Sequence, residues 1–360
     1  MEKTLSTIPK SALRSAAEAA GTTPSKLVYL SSLEDGIRRK PGKSAFIYHA
    51  PDGTRITDRE ELDRIAALAI PPAYTEVLIA VDANAHLQAI GRDARGRRQY
   101  RYHPEWSAER GKAKFALLLP FAKILPDIRE KVDSDLRLRK PGMEKALATV
   151  VWLLDNLYIR VGNETYAEEN GSYGLTTLRN RHVKVQGSSV HFNFKGKSGK
   201  EWRLSHSDRR ITKAIRMLQE LPGQQLFQYV DEDGHRHPVR SQDVNAYIRE
   251  AAGDDFSSRQ FRTWGATRLA ATALSVVEPA PSQRERKRQV NEIIDAIAAR
   301  LVNTRAVCRS SYIHPKVFED FDTGDLSAIA DLRRSRSERL TRWMDDDEIR
   351  VRRWLENSEN

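Results

Sequence analysis

The stretch that organises this sequence, residues 301–315, reads LVNTRAVCRSSYIHP. Its tyrosine, Tyr312, lies close to Arg305 and Arg309 and follows Asn303 by nine residues. A phenol ordinarily loses its proton at about pH 10, and neighbouring cations favour the phenolate. A phenolate can attack phosphorus or a carbonyl carbon, whereas the same residue taken alone also fits a packed aromatic with an exposed hydroxyl. The rest of the chain decides between these interpretations.

The composition is that of a basic protein with enough apolar residues for real cores. The chain has 360 residues, which allows two domains, and a net charge of +11. This excess predicts a polyanionic partner, with DNA or RNA first and an anionic membrane second. No apolar run could span a bilayer, and the first thirty residues lack a signal-peptide core, so a cytoplasmic protein is expected. Cys308 is the single cysteine, so neither a disulfide nor a thiolate metal site is expected.

The first hundred residues read mainly as short extended segments. An alanine-rich helix is predicted over 11–20, ended by a glycine. Apolar runs bounded by turn residues then predict strands over 45–48, 77–81 and 86–90. These patterns favour a small, mainly β domain.

That domain closes with residues 91–103, which read GRDARGRRQYRYH and hold five arginines. If the segment is extended, Arg98, Tyr100 and Tyr102 share one face, because side chains alternate along a strand. Arginines reach phosphates or guanine edges, and tyrosines offer stacking. The segment therefore predicts a DNA contact, with a solvated basic loop as the alternative.

Beyond about residue 106 the apolar spacing becomes helical. Helices are predicted over 107–130 and 143–158, the first with a break or kink at Pro120 and Pro126. Arg160 is expected at the C-terminal end of the second helix, just before a glycine. It fits either a cap on helix carbonyls or a guanidinium projected toward an anion.

Strands return over 182–186, 190–194 and 201–204, where apolar and polar residues alternate. Lys197 lies between two glycines at the predicted hairpin tip, either as an ordinary exposed lysine or as an ammonium on a movable finger. Helices are predicted over 207–221, 242–251, 257–274, 289–301 and 336–355. A short hairpin is expected near Asp233, and His235 and His237 in it lack further ligands at metal-site spacing, so no zinc site is predicted.

The chain thus offers the groups that phosphoryl transfer without a metal would need. Two guanidiniums can clamp the non-bridging oxygens of a phosphodiester, and an amide can donate a third hydrogen bond. A lysine ammonium can protonate the leaving 5′-oxygen. The acidic cluster that would hold two metal ions is missing from the sequence, as is a GxxxxGK phosphate loop, so neither a metal nor ATP is expected.

Four motifs together resemble the type IB DNA topoisomerases, of the compact poxvirus-like branch also found in bacteria. They are RVGNETY at 160–166 with YGLTTL at 173–178, FKGKSG at 194–199, FRTWG at 261–265, and the opening stretch. The resemblance covers about residues 92–317. By it, the expected catalytic residues are Arg160, Lys197, Arg262, Asn303 and Tyr312. The expected DNA-contacting residues are Arg98, Gln99, Tyr100, Tyr102, Tyr166, Arg259 and Arg309.

One position departs from the family pattern, because the viral and the larger eukaryotic enzymes carry histidine where Asn303 stands. Asparagine can still donate to a non-bridging oxygen, but it cannot shuttle a proton. Helix geometry adds a further expectation. Nine residues of unbroken helix are about two and a half turns, which would set Asn303 and Tyr312 on opposite sides. The roles implied by the resemblance require both side chains to face one phosphate, so a break between them is predicted.

The resemblance implies an α+β protein that closes as a clamp around double-stranded DNA. The expected parts are a β-rich DNA-binding domain over 1–104, a mainly α catalytic domain over 105–322 and a charged helical tail over 323–360. It also implies a monomer associated with the nucleoid, which relaxes supercoils through a 3′-phosphotyrosyl intermediate without cofactors.

Two alternatives remain open at the level of sequence. A tyrosine recombinase would share the chemistry, but such enzymes usually show His-x-x-Arg where this chain has Arg259-Gln-Phe-Arg262. A basic DNA-binding protein without catalysis would explain the charge but not the five spaced polar groups. A membrane-surface role is the weakest interpretation, because no predicted helix pairs a strong apolar face with a basic one.

Overall fold

The computed structural model describes residues 26–333 and 335–359, so the helix predicted over 11–20 lies outside the described residues. The chain divides into two compact units, one ending at Ala116 and the other beginning at Leu117. A β-sheet region precedes a larger helical region, which confirms the predicted α+β class. Within the described ranges, no helix combines the length and the apolar character needed to cross a membrane. The clamp around DNA stays a prediction.

The first unit is built on a five-stranded antiparallel sheet in the order β2-β1-β3-β4-β5. Its elements are β1 (Ile37–Pro41), β2 (Phe46–His49), α1 (Arg59–Ala67), β3 (Thr75–Ile79), β4 (Leu87–Arg92), β5 (Arg98–Tyr102) and α2 (Pro104–Ala116). Ile65 of α1 packs with Val77, Ile79 and Ala89 in a small core. The predicted strands are confirmed, with their bounds shifted by one or two residues. The basic segment forms β5, which among the described strands pairs only with β4 and is largely exposed.

The second unit is mainly helical. Its first helices are α3 (Leu118–Leu136), α4 (Met143–Leu157) and α5 (Glu164–Asn170), followed after the strands by α6 (Arg209–Gln219), α7 (Ser241–Ala252), α8 (Ser258–Ser275) and α9 (Gln283–Arg300). The later helices are α10 (Arg305–Ser311), α11 (Lys316–Thr323), α12 (Ala328–Asp331), α13 (Glu338–Trp343) and α14 (Asp346–Glu359). An antiparallel sheet of β6 (Val183–Gln186), β7 (Ser189–Lys195) and β8 (Glu201–Ser207) and a hairpin of β9 (Gln228–Val230) and β10 (Arg236–Pro238) complete it.

Helix α8 runs through the middle of the core of this unit. Most of its side chains are buried, including Phe261, Trp264 and Leu274. The ring of Phe261 packs edge-on against Phe121 of α3, with 5.1 Å between their centroids. A helix that is buried on nearly all sides cannot shift without disturbing its neighbours, so it gives a rigid base for the polar residues that it carries.

The helix predicted over 107–130 is two helices, and the break expected at Pro120 lies just before it, at Leu117. Pro120 cannot donate to the carbonyl of Ala116, so α2 ends there and α3 restarts with Pro120 in its first turn, where a missing N–H costs little. Pro126 lies inside α3 without ending it, because the surrounding helix is deeply buried. The helix predicted over 336–355 is also two, α13 and α14, interrupted at Met344 and Asp345.

Candidate active site

Tyr312 and Asn303 flank a short helix rather than sharing one. Helix α9 ends at Arg300, and Val302 takes a left-handed conformation with φ 50° that turns the chain. Asn303 comes before Thr304, the N-cap of α10, and Tyr312 follows the last helical residue with φ −133°. The predicted break is therefore confirmed, and both side chains project from helix ends instead of from a helix face.

The backbone around Tyr312 is fixed by a buried threonine of α8. Thr267 donates from Oγ1 to the carbonyl of Tyr312 at 3.1 Å and accepts from the amide of His314 at 3.1 Å. Thr267 is fully buried. One hydroxyl thus satisfies two backbone groups and fixes the segment that carries Tyr312 to α8.

Arg262, one and a half turns before Thr267 on α8, is 3% exposed and ties together three segments. It donates from Nη1 to the carbonyl of Tyr158 and from Nη2 to the carbonyl of Leu301 at 2.9 Å. Its guanidinium carbon lies 4.9 Å from the centroid of the Tyr312 ring. Its Nε is buried and has no hydrogen-bond partner among the described residues. A buried donor left open in this way suits an anionic ligand.

Arg160 meets Asn303 at the same place. Nη2 of Arg160 donates to Oδ1 of Asn303 at 2.6 Å. Since a guanidinium can only donate, this contact fixes the amide with its oxygen toward Arg160. Nδ2 of Asn303 is buried and has no partner within the described ranges. The asparagine therefore presents a second open donor beside Tyr312.

Arg160 was expected at the C-terminal end of a helix, but the structure places it beyond that end. Helix α4 ends at Leu157, and Tyr158 caps it in a left-handed conformation with φ 55°. Arg160 lies in the extended segment that follows, where its carbonyl accepts from the amide of Leu175 at 2.9 Å. A Cβ on Gly174 would lie 2.6 Å from Cα of Gly162, so the RVGNETY and YGLTTL motifs meet through two glycines. The close backbone contact between the two motifs requires glycine at both positions.

The charges around Tyr312 favour its phenolate. Burial raises the pKa of Tyr312, but the charges and hydrogen bonds of Arg262 and Arg160 outweigh burial, and the net pKa is lowered. Burial and the charge of Arg160 lower the pKa of Arg262 to about 10, so this guanidinium still carries its charge at neutral pH. The site thus holds a tyrosine that is easier to ionise than a free phenol.

Lys197 lies apart from these four residues. It opens a 3₁₀ turn, Lys197–Gly199, between β7 and β8, and its side chain is exposed. Among the described residues, no hydrogen bond or ion pair joins it to the other candidate catalytic residues. The turn has a fixed shape, because a Cβ on Gly196 would lie 2.7 Å from the ring of Trp202 and Ser198 has φ 64°. The predicted position at a hairpin tip is confirmed. The structure gathers Arg160, Arg262, Asn303 and Tyr312, but not Lys197.

The residues predicted to contact DNA are mostly exposed. On β5, the rings of Tyr100 and Tyr102 stack with 6.2 Å between centroids, and Arg98 is exposed beside them. Gln99 instead donates to Asp93 at 3.0 Å, so its amide is engaged. In the second unit, Tyr166 on α5, Arg259 on α8 and Arg309 on α10 are all exposed, with the guanidinium of Arg309 over Phe318. Their contact with DNA stays a prediction.

The sequence interpretation missed three contributors to this site, namely Tyr158, Thr267 and the carbonyl of Leu301. A signal for the first was present. Gly265 lies inside α8, where glycine costs about 1 kcal/mol of helix stability relative to alanine. A glycine at such a position suggests that a neighbouring group packs too closely for a side chain. That neighbour is the ring of Tyr158, which a Cβ at Gly265 would overlap.

The hairpin of β9 and β10 also carries more ligand atoms than the sequence interpretation considered. Asp231, Asp233 and His235 bring one ligand atom each within 4.8 Å of one another. The group is mostly exposed, and Asp231 already accepts hydrogen bonds from His237 and from backbone amides. These hydrogen bonds within the turn explain why Asp231, Asp233 and His235 lie close together, without a bound metal.

Comparisons with known proteins agree with the geometry of this site. Residues 103–338 match the family model for the catalytic core of eukaryotic DNA topoisomerase I, and residues 45–93 match that for the N-terminal domain of bacterial DNA topoisomerase IB. The chain is 34% identical over 288 residues to DNA topoisomerase 1B of Acanthamoeba polyphaga mimivirus, covering 78% of this chain and 86% of that protein.

More distant relatives share shorter segments. DNA topoisomerase I of monkeypox virus is 23% identical over 198 residues, covering 50% of this chain and 63% of that protein. DNA topoisomerase 1 of Mycosarcoma maydis is 26% identical over 172 residues, covering 43% of this chain and 17% of that protein. Because the core model spans more than half of the sequence and the mimivirus relative is matched over most of its length, the chain belongs to the type IB DNA topoisomerase family.

Proposed function

We propose that this chain relaxes supercoiled duplex DNA by transesterification, with Tyr312 as the nucleophile. Its phenolic oxygen attacks a backbone phosphorus, a 3′-phosphotyrosyl bond forms, and the 5′-oxygen leaves and takes up a proton. The free strand turns about the intact one, and the 5′-hydroxyl then attacks the phosphotyrosine and restores the strand. The bond energy is retained in the phosphotyrosine, so the cycle needs no ATP. The observation that carries this proposal is the grouping of the Tyr312 ring under the Arg262 guanidinium with the bonded pair of Arg160 and Asn303, in agreement with the lowered pKa of Tyr312.

The two open donors support a role in binding the phosphate. Charge on the non-bridging oxygens increases as phosphorus becomes five-coordinate, and donors fixed in advance stabilise that charge most. Nε of Arg262 and Nδ2 of Asn303 are such donors, buried and without partners among the described residues. We assign to Arg262, Arg160 and Asn303 the stabilisation of the transition state.

We assign to Lys197 the role of general acid for the leaving 5′-oxygen. An exposed ammonium at a hairpin tip can approach a DNA strand bound beside Tyr312, and its three N–H groups make it a suitable proton donor. This role requires that the hairpin, or the DNA, brings Lys197 to the leaving oxygen when the complex forms.

We further propose that one chain suffices for catalysis, and that it acts as a monomer on DNA of the nucleoid in the cytoplasm. All five candidate catalytic residues belong to the same unit of a single chain, so no second copy is needed to complete the site. The net charge of +11 supports binding to a polyanion. Sedimentation of the active protein at assay concentration tests the monomer.

The test is relaxation of a negatively supercoiled plasmid in EDTA without ATP, with parent protein and Tyr312→Phe compared. We expect the parent to relax the plasmid and the variant to be inactive while binding a duplex with unchanged affinity. A DNA-binding protein without catalysis would leave both inactive. A recombinase would exchange strands between paired sites and relax poorly as a monomer. Relaxation by Tyr312→Phe would overturn the proposal.

A further inference from the structure

A buried carboxylate joins the C-terminal helix to the rest of the second unit. Glu348 of α14 is 5% exposed and accepts from Nη1 and Nη2 of Arg129, each at 2.7 Å. It also accepts from Nε1 of Trp264 at 3.1 Å. Arg129 in turn donates from Nε to Asp155 at 2.7 Å. Through this group, α14 is bonded to α3 and α8 directly and to α4 through Arg129.

The partners of Glu348 lie close in sequence to the two arginines of the active site. Trp264 follows Arg262 by two residues on α8, and two residues of helix correspond to a rotation of about 200°. Arg262 therefore faces Tyr312 while Trp264 faces the opposite side, toward α14. Asp155, near the end of α4, precedes Arg160 by five residues. The network of Glu348 thus holds α8 and α4 by hydrogen bonds on the side of α8 that faces away from Tyr312.

The carboxylate is held in its ionised form. Burial alone raises the pKa of Glu348, but the hydrogen bonds and charge of Arg129, together with the N–H of Trp264, lower it below its ordinary value. Replacing this group by a neutral one leaves Arg129 with a single carboxylate partner and removes a strong acceptor from Trp264. The contacts of Glu348 with Arg129 and Trp264 are therefore weakened when the carboxylate loses its charge.

We propose that Glu348 is a positioning residue for the catalytic arginines, and that α14 is the brace through which it acts. The helix lies beyond residues 103–338, the part matched to the topoisomerase core, and the hydrogen bonds of Glu348 within the described ranges reach none of the candidate catalytic side chains. It acts by fixing where α8 and α4 place Arg262 and Arg160 around Tyr312. This inference rests on the catalytic roles proposed above for those two arginines.

The experiment measures the single-turnover rate constant for cleavage of a duplex at saturating protein, beside the Kd for the same duplex and the melting temperature. The variants are Glu348→Gln, Trp264→Phe and their combination. Trp264→Phe keeps an aromatic ring and the Arg129–Glu348 pair, and it removes the N–H together with the pyrrole part of the indole. Because Trp264 is fully buried, the melting temperature of this variant measures the cavity that the change leaves. The matched control is Glu356→Gln, also on α14, whose partner is Arg352 of the same helix at 3.1 Å.

We expect Glu348→Gln to slow cleavage at least about tenfold and Trp264→Phe by a smaller factor, since small misplacements of catalytic groups carry costs of this size. The Kd should stay within about twofold, because neither side chain reaches the proposed phosphate site. The control should cleave at the parent rate. The double variant should be less slow than the product of the two single effects, because the N–H of Trp264 acts only through the carboxylate.

Parent cleavage rates in folded Glu348→Gln or in Trp264→Phe would overturn the positioning role, as would fully additive effects in the double variant. If Glu348→Gln does not fold, Trp264→Phe decides alone. Arg262→Ala, assayed in parallel, separates the two levels of the argument. Parent cleavage by Arg262→Ala would defeat the proposed catalytic roles, whereas slow cleavage by it with parent rates in both other variants would defeat only the role of Glu348.

Discussion

Arg160 donates a hydrogen bond to Oδ1 of Asn303 across 2.6 Å, and this contact leaves Nδ2 of the amide as an open, buried donor. A neutral imidazole could do the same, accepting from Arg160 with one ring nitrogen and donating with the other. We infer that this relationship lets asparagine stand where the family resemblance leads one to expect histidine. On this proposal the position needs an acceptor and a donor on one planar group, and it does not need a proton to move.

Asn303→Ala should therefore slow cleavage strongly, and Asn303→His should retain much of the activity. Removal of one preorganised donor typically costs about 10²-fold in rate, or roughly 2.7 kcal/mol. The measurement is the single-turnover cleavage rate at saturating protein. Equal losses in both variants would show that the position needs the amide itself.

The pH dependence of cleavage should report the ionisation of Tyr312. Because Arg262 and Arg160 lower its pKa, the rate should rise with pH, and the midpoint of this rise should lie below the ordinary value of about 10. Arg160→Gln removes a charge that lowers this pKa, so its midpoint should move to higher pH. Profiles of cleavage rate against pH measure both. An unchanged midpoint in Arg160→Gln would contradict the electrostatic role of that residue.

Lys197→Ala should slow cleavage of normal DNA and be rescued by a substrate with a better 5′ leaving group. A leaving group of low basicity departs without taking up a proton, so the general acid becomes dispensable. The test compares cleavage rates on a 5′-thio and a normal substrate for parent and variant. Asn303→Ala is the control, because its defect should persist on both substrates. A persistent defect in Lys197→Ala would assign that lysine to DNA binding.

Cys308 should be chemically silent in the folded protein. It is fully buried, and burial raises its pKa to about 11 although the charge of Arg262 acts in the opposite direction. At pH 8 the thiol is therefore protonated and inaccessible. Iodoacetamide should modify it only in denaturant, and Cys308→Ala should still relax plasmid. Rapid modification of the native protein, followed by mass spectrometry, would contradict the buried position.

Much of this architecture is readable from the sequence, because its signals are local. Strands β3, β4 and β7 coincide with alternating or continuous apolar runs. Helix α8 begins and ends within one residue of the predicted bounds. The break between Asn303 and Tyr312 followed from the geometry of a helix and the requirement that both face one phosphate. The strand predictions used spacing alone, whereas the predicted break also used the roles that the family resemblance implies for Asn303 and Tyr312.

Other features depend on contacts between distant segments and have no local signal. The carbonyls of Tyr158 and Leu301 that hold Arg262 are backbone groups, which any residue could supply. Glu348 looks like one more surface charge in a charged helix until Arg129 and Trp264 are placed beside it. That Pro126 does not end α3 also has no local signal, because it depends on the burial of the surrounding helix.

The most direct measurement is to trap the covalent protein–DNA adduct by rapid denaturation during cleavage and to map the modified residue by mass spectrometry. The account predicts one nucleotide-bearing peptide that contains Tyr312, linked to a 3′-phosphate, and no adduct from Tyr312→Phe. An adduct on any other residue, or one that survives in Tyr312→Phe, would contradict it.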